Sequence, residues 1–334
     1  MDKDCEWGHK IFSVDSDGFE SLALEIFRFQ YAENPVYNAW CKALYTTPGN
    51  VRSVAKIPFL PISFFKTHTV QSGVVEKPVL FESSGTTRAV TGRHLVNDIS
   101  LYEKSFTVAF ENFYGPVNDY CIIGLLPAYL ERANSSLVYM VDKLVQQSNH
   151  PESGFYLNEY EKLYNTLLYL EGKKQKTLLI GVTFALLDFA DAYNFPLRYT
   201  IMMETGGMKG RRKEMIRDEV HEHLKKSFSL PSIHSEYGMT ELLSQAYSKG
   251  DGLFNCPPWM KVLAREEDDP LHLQSEPGGN AVKRGALNVI DLANVHSCSF
   301  VATDDIGKVF PDGSFEVQGR MDNSDIRGCN LLIL

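Results

Sequence analysis

Between residues 78 and 245 the chain alternates between two kinds of segment, and this alternation restricts the fold more than any other feature. Short continuous apolar runs, PVLFE, YCIIGLL, TLLIGV and LRYTIMM, have the length and composition of buried strands. Between them lie longer stretches with helical spacing: DISLYEKSFTVAFENF, NSSLVYMVDKLVQQ, LNEYEKLYNTLLYL, TFALLDFADAY and KEMIRDEVHEHLKKSF. In the last, Ile216, Val220, Leu224 and Phe228 recur every fourth residue, with charges elsewhere. Strand–helix alternation of this kind predicts an α/β body built on a largely parallel sheet. The flanks read differently. Residues 1–75 are mainly helical and aromatic, with Leu22, Ile26 and Phe29 on one helical face, until Pro58 and Pro61 impose an extended segment. After about residue 250 come short strands separated by Gly, Pro and Asp: GALNVIDL, SCSFVATDD, GKVFPDG and SFEVQGR. FPDGS is a hairpin signal. The expected organisation is a helical region over 1–75, an α/β nucleotide-binding body over 76–250 and a β-rich lobe over 251–334, with a nucleotide in the cleft between body and lobe.

Composition narrows the function. The 334 residues are 44% apolar and 22% charged, which suits a globular chain with a sizeable core and excludes a disordered, collagenous or coiled-coil protein. A net charge of −9 argues against nucleic acid and anionic membranes as partners, so a phosphate-bearing ligand must be held locally. The start, MDKDCEWGHK, has no apolar targeting core, and no run approaches the ~18 apolar residues of a membrane span. Six widely spaced cysteines contain no CxxC pair. The expectation is a cytoplasmic protein with free thiols, most of them inert and buried.

Neither a GxxxxGK[ST] loop nor a complete GxGxxG is present. His221 and His223, two apart on a helix, point to different faces and read as solvated rather than metal-binding. Four other constellations carry possible chemistry. Ser83, Ser84, Gly85, Thr86 and Thr87 follow the strand PVLFE and offer hydroxyls and converging N–H groups to an anion. Glu204-Thr205-Gly206-Gly207 ends LRYTIMM, where glycines admit close backbone approach. Ser235-Glu236-Tyr237-Gly238-Met239-Thr240-Glu241 joins a ring that can stack, a hydroxyl, and a hard oxygen ligand for Mg²⁺. Thr303-Asp304-Asp305-Ile306-Gly307 with Gly319-Arg320-Met321-Asp322 pairs carboxylates with an arginine. Taken singly, each also reads as ordinary turn or capping chemistry.

In this order, however, SSGTT, GG, YGMTE, TDDIG and GRMD resemble the adenylate-forming enzymes: acyl- and aryl-CoA synthetases, firefly-type luciferases and peptide-synthetase adenylation domains. The likeness runs from residue 83 to about 330. RGCN near the end is similar to the RGVN of phenylacetate-CoA ligases. LLPAYLERANSSLVYMVDKL, ETGGMKGRR and the ending GRMDNSDIRGCNLL resemble more narrowly the acyl-protein synthetases of bacterial luminescence fatty-acid reductase complexes. That family activates a fatty acid as acyl-AMP, moves the acyl group to its own cysteine and hands it to an acyl reductase.

The resemblance implies the fold of the N-terminal body of adenylate-forming enzymes plus a small β-rich lobe, with the C-terminal lid absent. ATP and Mg²⁺ are the implied cofactors. By the same likeness Ser83, Ser84, Gly85, Thr86 and Thr87 hold the β- and γ-phosphates. Gly206 and Gly207 line the adenine site, and Tyr237 lies against the base. Thr240 meets the α-phosphate and Glu241 the metal, while Asp305 and Arg320 hold the ribose. Cys329 is the implied acyl acceptor, with Arg320 and Arg327 near in sequence to lower its pKa. The lysine usual after the phosphate loop is missing, leaving Arg88 and Arg93 to replace its charge, and Asp304 stands where the superfamily usually has glycine. Three functions stay open at this point. One is an acyl-protein synthetase acting on a carboxylic, expected fatty, acid and serving a reductase partner. Another is a lid-less CoA ligase with CoA as acceptor, and the last is a nucleotide-binding scaffold subunit of a reductase complex. LLPAYL, Tyr129, Tyr139 and Phe184 are either the wall of an acyl tunnel or simply core.

Overall fold

The computed structural model describes residues 3–73 (side chains from 6), 77–83, 91–126, 134–207, 215–267, 269, 271–274 and 281–321. These fold into two compact units whose pieces interleave along the chain. The first takes the described residues of 1–109, 238–245 and 255–324, and the second those of 110–237 and 246–254. The units therefore cut across the three successive blocks expected from the sequence. Among the described residues, no helix is long and apolar enough to cross a membrane.

The second unit holds the alternating region. Its strands run Gly154–Phe155, Cys121–Leu125, Thr177–Gly181, Thr200–Glu204 and His234–Tyr237 side by side, all parallel, with Ala246–Ser248 added antiparallel. Cys121–Leu125 and Thr177–Gly181 are buried at every residue, which is why they read as unbroken apolar runs. Helices Ser136–Ser148, Tyr160–Gly172, Thr183–Ala192 and Arg217–Phe228 connect the strands. The last buries Val220, Leu224 and Phe228 as its period dictates, and Phe228 stacks on Phe189 with ring centroids 5.5 Å apart. Ile216 instead caps that helix and is exposed. Phe184 lies in the core, and Tyr139 sits under the Lys143 ammonium, 5.4 Å from its ring centroid. Tyr129 lies outside the described residues.

In the first unit, Met260–Arg265, Lys283–Asp291, Phe300–Val309 and Phe315–Arg320 form a four-stranded antiparallel run, with Leu60–Pro61 parallel to Val301–Ala302. SCSFVATDD and GKVF, expected as separate strands, are one ten-residue strand. The FPDGS turn closes as expected, Phe310 N donating to Ser314 O at 2.8 Å. The helices Phe19–Glu33 and Pro35–Ala43 pack here through Phe27, Tyr37 and Phe300, whose centroids lie 6.1–6.4 Å apart. Burying each such ring stabilises by roughly 1.5–3 kcal/mol. Gln30 fixes the alignment: its amide donates to the carbonyls of Asn294 and Val295, and its oxygen accepts from Ser299 N. PVLFE corrects the strand expectation. Val79–Glu82 lies outside the parallel sheet, in a two-stranded antiparallel hairpin with Arg93–Val96. Phe81 is buried against Tyr102 at 5.5 Å while Val79 and Leu80 are half-buried, and this apolar run imitates a central strand.

Candidate active site

The hairpin carries the hydroxyl-rich loop at its tip. Ser84, Gly85, Thr86, Thr87 and Arg88 lie outside the described residues, but both ends of the loop are described. Ser83 N donates to Gly92 O at 2.9 Å, and Gly92 N donates to Ser83 Oγ at 2.7 Å, so the loop leaves a closed neck. The carboxylate of Glu241, fully buried, lies against that neck. A Cβ on Gly92 would collide with Glu241 Oε1 and come within 3.2 Å of Ser83 Oγ. Two motifs about 150 residues apart are therefore in direct contact, and a missing methyl group makes the contact possible. Arg93, at the hairpin's exit, is exposed.

The backbone that presents Glu241 is held from several sides. His94 Nδ1 lies 2.7 Å from Thr240 O, and Asn294 Nδ2 donates to Glu241 O at 2.8 Å. Asp291 accepts from Leu243 N, Ser244 N and Ser244 Oγ at 2.6–3.0 Å and from Ala293 N at 3.1 Å. Burial pushes Asp291 up to about 6 despite those four donors. For Mg²⁺ the donor set fits. Glu241 offers one hard carboxylate oxygen donor beside the neck of the loop. A single carboxylate, with phosphate oxygens and water completing the shell, is how Mg²⁺ accompanies a nucleotide.

Asp304, Asp305 and Arg320 meet where Phe300–Val309 pairs with Phe315–Arg320, Asp305 lying directly opposite Arg320. Arg320 Nη2 bonds Asp304 Oδ2 at 3.2 Å, and its Nε is 3.4 Å from Asp305 Oδ1, an ion-pair distance without hydrogen-bond alignment. Asp304, the departure from the superfamily pattern, thus anchors the arginine and leaves Asp305 with the looser contact. Sequence reasoning missed Arg265, buried beneath, which donates to Leu287 O, Asn288 Oδ1 and Thr303 O.

In the second unit, Gly206 and Gly207 end the strand Thr200–Glu204 at φ +74° and +95°, a left-handed backbone that suits glycine. The loop is pinned. Thr183 N and Phe184 N donate to the carbonyls of Gly206 and Gly207, and Thr205 N donates to Gly181 O. Buried Glu204 accepts from Gly206 N at 2.6 Å and Thr183 Oγ1 at 3.0 Å. Burial works to raise the Glu204 pKa, but the His221 ring 3.7 Å away and the Arg217 charge outweigh it and bring it down to about 2. Glu236 goes the other way, up to about 8, through burial and the Glu204 charge. His221 is therefore no solvated residue; it faces the core, and only His223 is outside, paired with Asp191 at 2.9 Å. Tyr237 is buried with its ring 5.8 Å from that of Phe254.

Four thiols are described, all free. Burial pushes Cys41 and Cys256 up to about 12, Cys121 up to about 11, and Cys298 higher still. Cys329 and the Cys5 side chain lie outside the described residues.

The family described as acyl-protein synthetase, LuxE, matches residues 12–333. No curated protein matches the chain in sequence. Among solved structures, ATP-bound MatB from Rhodopseudomonas palustris is similar at a TM-score of 0.52 and 14% identity, with 75% of this chain and 50% of that one covered. The luciferase-like enzyme from the nonluminescent mealworm Zophobas morio is similar at 0.52 and 16%, with 76% and 60% covered. The match thus spans about half to three fifths of those chains, and the likeness is one of fold.

Proposed function

The chain belongs to the LuxE acyl-protein synthetase family, and from that premise we propose that it uses ATP to activate a carboxylic acid, a fatty acid in our reading, as an acyl-adenylate. It then loads the acyl group on Cys329 and passes it to an acyl reductase partner in the cytoplasm. The observation that carries this reading is the contact of the Glu241 carboxylate with the Ser83–Gly92 neck, which brings a metal-type carboxylate to the base of a phosphate-type loop.

A carboxylate is a poor acyl donor because its leaving group would be oxide. Attack of its oxygen on the α-phosphorus of ATP forms a C–O–P mixed anhydride and breaks the bond to the β-phosphate, releasing pyrophosphate. Two anions must approach for this to happen, so positioning and electrostatics supply most of the catalysis. The loop Ser83–Thr87 holds the β- and γ-phosphates with hydroxyl and backbone donors, Arg93 standing at its exit in place of the usual lysine. Thr240 orients the α-phosphate. Gly206, Gly207 and Tyr237 receive the adenine, and Asp305, with Arg320 beside it, the ribose. Glu241 would hold Mg²⁺ beside the phosphates, and the ion when bound would supply positive charge against that of the departing pyrophosphate.

In the second step a thiolate attacks the anhydride carbonyl and AMP leaves. The described thiols are poor candidates, because their raised pKa values leave almost no thiolate near neutrality. Of the two thiols that remain, Cys5 and Cys329, the family resemblance points to Cys329 as acceptor.

ATP–pyrophosphate exchange over a panel of carboxylic acids tests the first step. Exchange with fatty acids is expected, and a fall on the order of 100-fold in Glu241→Gln with the fold intact. Exchange unchanged in that variant at saturating Mg²⁺ would falsify the metal assignment. For the second step, Cys329→Ser should still release pyrophosphate but lose hydroxylamine-labile acyl label. Label that persists, or acyl-CoA formation, would shift the acceptor to another thiol or to CoA.

A further inference from the structure

We propose that His94 is a positioning residue for Thr240 and Glu241, a buried imidazole on the exit strand of the phosphate loop that locks the backbone of the phosphate- and metal-binding pair to that loop. The proposal rests on the nucleotide reading above and adds to it a residue that no motif contains.

His94 is two residues past Gly92 on the strand Arg93–Val96 and is fully buried. Its ring is T-shaped to that of Phe65, with centroids 5.7 Å apart and planes at 89°, which restrains the ring plane. Nδ1 is 2.7 Å from Thr240 O. A carbonyl oxygen only accepts, so Nδ1 carries the hydrogen. Nε2 is 3.0 Å from Asn294 Oδ1, and the two amide hydrogens of Asn294 go to Glu241 O at 2.8 Å and Cys298 O at 3.0 Å. Thr240 and Glu241, consecutive in the chain, thus have consecutive carbonyls held by two neighbouring side chains, His94 on the first and Asn294 on the second.

Burial lowers the His94 pKa to about 4, so the ring is neutral and has one N–H for two acceptors. The shorter contact, to Thr240, takes it. Gly92, against which the Glu241 carboxylate lies, immediately precedes the strand that carries His94. One short segment therefore sets both the carbonyl side of the motif and the seat of its carboxylate, and a shift of it moves the Ser83–Gly92 neck and Glu241 together. In metal sites, side chains that orient a ligand in this way contribute about 10- to 100-fold in affinity.

The test measures binding by calorimetry for the full chain and three variants, with Mg·ATP, ATP in chelator, and adenosine as probes. Asn places its amide where Nδ1 stood, Gln places its amide nearer Nε2, and Leu removes both. His94→Leu should bind Mg·ATP about 10- to 100-fold more weakly with adenosine affinity unchanged. His94→Asn should recover most of the loss and His94→Gln little of it. Ring ¹⁵N shifts of the wild type should report the Nδ1–H tautomer. If His94→Leu does not fold, the comparison of Asn with Gln decides in its place. Mg·ATP affinity equal to wild type in the Leu or Gln variant overturns the proposal. So does an equal loss for adenosine, which would mark a merely structural histidine. No Mg²⁺-dependent ATP binding by the wild type defeats the nucleotide reading itself, a result visible before any variant is made.

Discussion

At the scale of single residues, the sharpest constraint is at Gly92. Its backbone is not in the left-handed region, so alanine is conformationally acceptable there, and the obstacle is the Glu241 carboxylate alone. Gly92→Ala should therefore shift the carboxylate while leaving the fold nearly intact. The expected result is a loss of pyrophosphate exchange of about 10-fold or more with a stability change on the order of 1 kcal/mol. The double variant with Glu241→Gln should lose little beyond the Gln variant alone, because both act on one group. Glu236 carries a different prediction. Its folded pKa of about 8 lies above the roughly 4.3 of an unfolded glutamate, so the native state holds the proton more tightly. Stability then declines as pH rises through that window. Glu236→Gln should flatten the decline and be the more stable protein above pH 8, by on the order of 1 kcal/mol, with the difference gone near pH 4. Urea titrations across that range measure it.

At the scale of elements, the caps and turns explain why helices and hairpins start where they do. Asn34 accepts from Tyr37 N at 3.0 Å to open the helix Pro35–Ala43, and its amide donates to Ser297 O at 2.9 Å. One fully buried side chain thus both caps a helix and ties it to the segment before Phe300–Val309. Asn34→Ala should cost about 1–2 kcal/mol, a lost cap plus one of two hydrogen bonds to the Ser297 carbonyl, which keeps its bond from Ser72 Oγ at 2.7 Å. Asn34→Asp, which keeps the acceptor, should retain the cap and lose the tie. A helix of the second unit such as Arg217–Phe228 was legible from its period because it buries one stripe, Val220, Leu224 and Phe228, whereas Thr183–Ala192 is buried nearly all round and read as helix from its apolar length. The strand Met260–Arg265 was not legible. In MKVLAR the charges at Lys261 and Arg265 break the apolar run while Leu263 between them breaks the alternation, and Arg265 is buried only because three carbonyl and amide oxygens elsewhere receive its donors.

For the whole molecule, the interleaving of the units predicts that cutting at the expected boundaries fails. A fragment of residues 1–250 leaves Phe27, Tyr37 and Gln30 without Phe300, Ser299 and the Asn294 and Val295 carbonyls. Neither it nor a fragment of 76–334 should show a cooperative thermal transition, whereas the full chain should; calorimetry of the three decides. By itself the sequence determined the parallel sheet, its helices, the FPDGS hairpin and the order of the motifs. All of these follow from local periodicity, turn chemistry and residue types written consecutively along the chain. Tertiary structure alone decided that PVLFE belongs to an antiparallel hairpin, that His221 faces the core, and that Asp304 takes up Arg320. It also decided that His94, Asn294 and Asp291 hold Thr240–Ser244. Those bonds close across 146, 53 and 47 residues, and a lone histidine, asparagine or aspartate has no period and no neighbours to betray a partner that far away. A hydrogen bond between distant side chain and backbone exists only once packing has brought the two ends together and removed the water that would otherwise satisfy them.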